Sequence, residues 1–310
     1  MQIFSTGVLR CKTPMNNGNS GIHAARKGEK MAEILIGTSG YSYHEWVGPV
    51  YPEGTKTGDY LSCYAGLFPT VELNFSYYAM PKADNLAKML VDGGPELRFS
   101  IKAYKSFTHE INPSQWEGEA KTYINAIEPM LEAGRLDAVL FQFPYSFKYE
   151  DENRRYLDKL LKTFKEVPSA VEFRKADWYT TKVIEGMKSR NVPLVSLDMP
   201  ELPKLPPQMD VVTAPLAYIR LHGRNKEAWW GKDDHARYDY LYTDKEVEAW
   251  ADRIKRISEQ ARRILVYFNN HPLGKAARNA QTLEKMLKKI GLMTEGGKEL
   301  NNGGTVNSPS

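Results

Sequence analysis

Cysteine is nearly absent from this chain, with only Cys11 and Cys63 among 310 residues. Two such distant thiols make neither a disulfide framework nor a cysteine-rich metal site, and they fit a reducing cytosol. No apolar run reaches transmembrane length and no hydrophobic signal core follows the N-terminus, so membrane spanning and secretion are not expected. The chain also lacks a Walker phosphate loop, a dinucleotide glycine fingerprint and a Gly-x-Ser-x-Gly elbow. No two histidines have the spacing of a helical zinc pair, so a zinc site has weak support, while a His-plus-carboxylate cluster using Glu72, Glu172 or Asp198 stays an alternative.

Excess charge is missing too, once its position is considered. The net charge is +4, from 42 basic and 38 acidic residues. Arg10, Lys12, Arg26, Lys27 and Lys30 against Glu29 alone account for all of it, leaving 37 of each sign beyond residue 30. A globally basic nucleic-acid surface is therefore not supported. Residues 1–30 lack sustained periodicity and are rich in Asn, Gly and Lys, so a disordered or non-native leader is expected. The purine-rich codons of residues 26–30 could form a ribosome-binding site, which makes Met31 rather than Met1 the expected start. An intact mass including residues 1–30 would overturn that. Disorder is also expected over residues 294–310.

What remains, residues 31–293, alternates β-branched or aromatic runs with amphipathic stretches. The runs are Ile34–Thr38, Thr70–Asn74, Leu97–Lys102, Asp137–Phe143, Ala170–Arg174, Pro193–Asp198, Ala217–His222 and Ile264–Asn269. Helical stretches include Asp84–Val91, Ala120–Ala133, Asn153–Phe164, Thr181–Arg190, Asp244–Gln260 and Ala276–Ile290. Eight β-then-α units of this total length point to a single-domain α/β fold, a (β/α)8 TIM barrel, with an open doubly wound sheet as the alternative.

Parity along the strands locates a site. Val71 and Leu73 alternate with Glu72 and Asn74, Phe99 and Ile101 with Ser100 and Lys102, and Val171 and Phe173 with Glu172 and Arg174. Ile219 and Leu221 alternate with Tyr218, Arg220 and His222. Helices cover the outside of a barrel, so the polar members should point inward. Ordinary barrel interiors are dominated by branched aliphatics. Glu72, Glu172 and Asp198 would balance Lys102, Arg174 and Arg220, with Glu72–Lys102 and Asp198–Arg220 as expected pairs. A structural ion-pair network is one reading and a ligand site at the C-terminal mouth the other.

Loop residues point to the same mouth. Trp46, Trp116, Trp178, Trp229 and Trp230 follow strands, as do Tyr41, Tyr43, Tyr77, Tyr78 and Tyr179. Flat rings beside cations suit a ligand with a sugar or base and an anionic group, although packed hydrophobic lids would use the same residues. His109, His222 and His271 also follow strands, and such a histidine could carry a proton.

In chain order these segments resemble the YecE-like family, also known as domain of unknown function 72. The resemblance is carried by Gly37–Trp46, Glu72–Tyr78 with Pro81, Phe99–Lys102 with Thr108 and His109, and Leu140–Pro144. It continues through Glu172–Arg174 with Trp178, Arg220–Gly223, and Tyr267–Asn270 leading to Gly274, Ala277, Asn279 and Ala280. Tyr77 replaces the usual Phe, and Asp177 replaces a common Ser. The resemblance implies a TIM barrel and brings no activity or cofactor.

Together these readings anticipate a cytoplasmic enzyme of hydrolase or lyase type that binds an anionic small molecule, a sugar phosphate or a nucleotide-like ligand. Glu72, Glu172, His109 and His222 are the catalytic candidates. Lys102, Arg174 and Arg220 would hold the anion. Asn74, Gln142, Asp198, Asn269, Asn270, Trp46, Tyr78 and Trp178 complete the candidate binding set. The cofactor is left unspecified. A nucleic-acid-binding, repair-associated protein and a non-catalytic small-molecule scaffold are the alternatives.

Overall fold

The computed structural model describes residues 31–294, Lys232 apart. The expectations for residues 1–30 and for the tail past Thr294 lie outside the described residues. Eight strands form one parallel sheet: β1 (Glu33–Ser39), β2 (Thr70–Leu73), β3 (Arg98–Lys102), β4 (Leu136–Phe143), β5 (Ser169–Phe173), β6 (Ser196–Asp198), β7 (Leu216–Leu221) and β8 (Arg263–Phe268). Pairing runs β5-β4-β3-β2-β1-β8-β7-β6, so β1 lies against β8 and the sheet curls into a ring. The remaining seam, β5 to β6, is joined by main-chain bonds on Val171. Its N–H donates to Pro193 O and its carbonyl accepts from Val195 N, both at 2.9 Å.

The helices are α1 (Tyr60–Ala65), α2 (Phe75–Tyr78), α3 (Ala83–Asp92), α4 (Trp116–Glu132), α5 (Asp151–Thr163), α6 (Thr181–Ser189), α7 (Asp234–Tyr238), α8 (Asp244–Ser258) and α9 (Lys275–Lys289). Their apolar stripes cause the barrel. In α8, Val247, Trp250, Ala251, Ile254 and Ile257 recur at helical spacing and are buried, and a Thr243–Glu246 capping box starts the helix. One crossover departs from the expected β-then-α pattern. Residues 199–215, between β6 and β7, contain no helix. Pro200, Pro203, Pro206, Pro207 and Pro215 remove the amide donors a helix there would need. Among the described residues no helix is long and apolar enough to cross a membrane.

Two apolar layers result. Val71, Leu73, Phe99, Ile101, Val171, Phe173, Ile219 and Leu221 pack outward against the helices in the main core. Leu35, Ala138, Leu140, Ala170, Leu197, Tyr218, Leu265 and Tyr267 fill the ring itself. A bulge at Phe99/Ser100 leaves Asp137 of β4 extra to the ladder, and its carboxylate takes Arg98 and Arg263 at the N-terminal end of the barrel. Gly37 is required where β1 crosses β2, because a Cβ there would lie 2.0 Å from Thr70 O.

Candidate functional site

The inward polar face of β2, β5 and β7 converges as parity anticipates. Arg220 is 2% exposed. Its Nη2 donates to Glu72 Oε1 and its Nη1 to Glu172 Oε2, each at 2.7 Å. Glu72 also accepts from Tyr218 Oη at 2.7 Å and from Ser39 Oγ, and Ser39 Oγ in turn accepts from Asn74 Nδ2 at 3.0 Å. Glu172 pairs with Arg174 Nε as well. His222 Nε2 lies 3.4 Å from Glu172, and its Nδ1 lies 3.0 Å from Asn269 Nδ2. A buried charge is tolerated only when it is compensated, and Glu72, Glu172, Arg174 and Arg220 each pair with an opposite charge.

This network floors a cavity of about 600 Å³ at the C-terminal mouth. Asn74, Tyr78, Lys102, His109, Gln142, Arg174, Arg220 and Asn269 of the candidate set line it. Tyr43, Phe75, Tyr77, Tyr145, Trp229, Trp230, Arg237, Tyr238 and His271 line it too. Arg237 is held at the rim by Trp229 O at 2.9 Å and Gly231 O at 2.7 Å. Four described lining residues are Lys or Arg and none is Asp or Glu.

The remaining candidates lie elsewhere. Glu72, Glu172 and His222 sit beneath the lining rather than in it. Asn270 ties Tyr240 O to Asn279 Oδ1 and holds the loop that follows β7. Trp178 stacks on Phe173 and Phe147 and donates to Phe147 O, while Trp46 is buried and donates to His271 O. Trp116 opens α4 and packs on Tyr156, not at the mouth. These three tryptophans are packed lids, the second of the two readings offered for them. Asp198 is not an inward charge and does not pair with Arg220. It faces the helix layer, where Arg224 Nε donates to it at 2.8 Å and Trp250 Nε1 also donates. Glu72 likewise pairs with Arg220 and not with Lys102.

Missed in the sequence were Ser39, Tyr145, Arg237 and Tyr238. Ser39 had a usable signal, since it shares the inward parity of Leu35 and Gly37 in β1. Arg237 and Tyr238 come from a short helix in a long connection, where periodicity is silent.

Proton affinities follow from this geometry. Burial and the Arg220 and Arg174 charges press Lys102 down to about 7, against Glu172 and Glu72. Burial, Lys102 and Arg174 push His109 down to about 4, so its ring is neutral at pH 7, with Nδ1 2.8 Å from Thr108 Oγ1. Burial and Arg174 take His222 to about 3, despite Glu172. Burial alone would raise Glu172, yet Arg174, Arg220 and His222 hold it well below the usual carboxylate range. Among the described residues no cluster of three or more His, Cys, Asp or Glu could hold a metal ion.

Comparison with known proteins agrees with this architecture. The family model described as "Protein of unknown function DUF72" matches residues 35–299. A UPF0759 protein of Bacillus subtilis (strain 168), YunF, is 29% identical over 269 residues, covering 82% of this chain and 94% of that one. A crystal structure of a DUF72 family protein from Thermotoga maritima superposes with a TM-score of 0.75 at 35% identity, covering 83% of this chain and 99% of the other. A second, from Enterococcus faecalis, gives 0.74 at 28% identity, covering 82% and 95%.

Proposed function

This chain belongs to the DUF72 family, and we propose that its barrel mouth is the active site of an enzyme acting on an anionic, sugar- or nucleotide-sized molecule by hydrolase or lyase chemistry. One observation carries the reading: four basic side chains and no acidic one line the cavity among the described residues. A cavity of about 600 Å³ matches a small-molecule site, and barrel enzymes keep their chemistry at this face. Arg174 holds the anion, with the buried Arg220 charge beneath it. Asn74, Gln142 and Asn269 orient the rest. Lys102 and His109, neither fixed in charge by a carboxylate, carry the proton. Glu72 and Glu172 act through Arg220, as positioning residues. A free thiol at Cys63 fits a cytosolic location.

Inorganic phosphate, AMP and ribose 5-phosphate, titrated separately by calorimetry, provide the test. At least one should bind, and Arg174→Met should weaken it by about 1.5–3 kcal/mol, the worth of a hydrogen bond to a charged group. No heat and no rise in melting temperature with any of the three would sink the proposal. Exposed Trp230 and Tyr78 on the rim, 57% and 71% accessible, favour a second reading in which bases of a single strand stack there. Oligonucleotide binding that weakens steeply with salt would select it.

A further inference from the structure

Lys102 differs from the lysines around it in having no counterion among the described residues. Lys105 pairs with Glu110 at 2.8 Å and Lys175 with Asp177 at 3.1 Å. Among the described residues the Lys102 Nζ makes no hydrogen bond or ion pair, and it lies 4.1 Å from the centre of the Tyr77 ring. Its main chain is fixed, since Lys102 O accepts from Ser76 Oγ at 2.6 Å and from Tyr123 Oη at 3.4 Å. The amine therefore projects from a rigid strand end into the open cavity. Charged groups face it from several elements: Arg220 of β7 and Arg174 after β5 disfavour its proton, while Glu172 and Glu72 beneath favour it. An amine poised near neutrality is a nucleophile at physiological pH.

We propose that Lys102 is a covalent catalytic residue, its Nζ forming an imine with an aldehyde or ketone whose anionic group rests on Arg174 and Arg220. The Nζ lone pair makes the C–N bond, and the carbonyl π pair moves to oxygen, which takes a proton. The resulting carbinolamine loses its hydroxyl and one proton as water, leaving C=N. No oxidant or reductant is needed. The protonated imine is a cation formed from a neutral amine, and the substrate's own negative charge balances it. That is why the carbonyl compound should carry an anion. The inference rests on the anionic-ligand reading and narrows it to carbonyl substrates.

Pyridoxal 5′-phosphate and its phosphate-free counterpart pyridoxal are suitable probes, with borohydride reduction followed by peptide mass mapping. With the phosphorylated probe, Lys102 should be the principal adduct in the wild-type chain, and inorganic phosphate should protect it. Labelling of Lys102 should rise only about twofold from pH 7 to pH 9, against about a hundredfold for an ordinary lysine. Lys102→Met should lose that adduct and keep any on surface lysines. Adducts scattered over surface lysines with Lys102 unmodified, in a protein that still binds phosphate calorimetrically, would overturn the imine and leave the anion site standing. Equal labelling by both aldehydes without phosphate protection would overturn the anionic substrate class and the reading beneath it.

Discussion

Arg220 shows what a single side chain can fix. It joins β7 to β2 and β5 through two fully buried carboxylates. Removing one partner of such a pair typically costs about 3–5 kcal/mol, because the other charge stays buried. Of the two readings of these residues, the ion-pair network is present in the structure, and it forms the floor of the cavity at the mouth. His222 gives a prediction at this scale. Its folded value of about 3 lies below the ordinary 6.5, so between these pH values the unfolded chain binds a proton that the native one refuses. Stability therefore falls as pH drops from 6.5 toward 3, by about 1.4 kcal/mol per pH unit per proton. His109, held near 4, adds a second proton over most of that window, and Glu172, also held low, adds to the loss only below its unfolded value near 4.3. Urea unfolding from pH 7 to pH 4.5 should show this slope, and His222→Asn should reduce it. An unchanged slope would mean that His222 titrates in the native state.

At the scale of elements, what the sequence revealed depended on which face of a strand was covered. Alternation was legible in β2, β3, β5 and β7 because their apolar residues meet helices and their polar ones meet each other inside. In β6 the pattern inverts. Val195, Leu197 and Met199 fill the ring, so Asp198 turns toward α8. No parity rule could reveal this, since the compensating partners, Arg224 and Trp250, lie 26 and 52 residues away. Trp116 was misread for a local reason: it precedes the expected helix start and was assigned to a loop. The placement of Asp198 is itself testable. Asp198→Ala should lower stability by about 1–3 kcal/mol, since it leaves the buried Trp250 N–H unpaired and removes one of the two carboxylates on Arg224. It should leave phosphate affinity at the mouth unchanged in the same calorimetric titration. Weakened binding with intact stability would return Asp198 to the mouth.

Across the whole molecule, the barrel carries a polar layer at each end of an apolar ring. Asp137 gathers Arg98 and Arg263 at one end, and Glu72, Glu172 and Arg220 meet at the other. The fold itself was readable from eight recurrent runs and the length between them. The contents of the mouth were less so, because its rim is assembled from loops whose conformations no short-range pattern encodes. The balance of charge at the upper layer has one more consequence. Glu72 and Glu172 offset Arg220 and Arg174 in this layer, while Lys102 sits near its midpoint at neutral pH. A negatively charged guest tips that amine toward its ammonium form and so arrives with part of a hydrogen ion, about half of one at pH 7. Heats of phosphate association measured in Tris and in phosphate-free PIPES should then differ in proportion to the two buffers' ionisation enthalpies. Identical heats would mean that the amine holds its charge fixed throughout. The mouth would in that way couple occupancy to acidity, gripping anions more firmly as its surroundings turn sour.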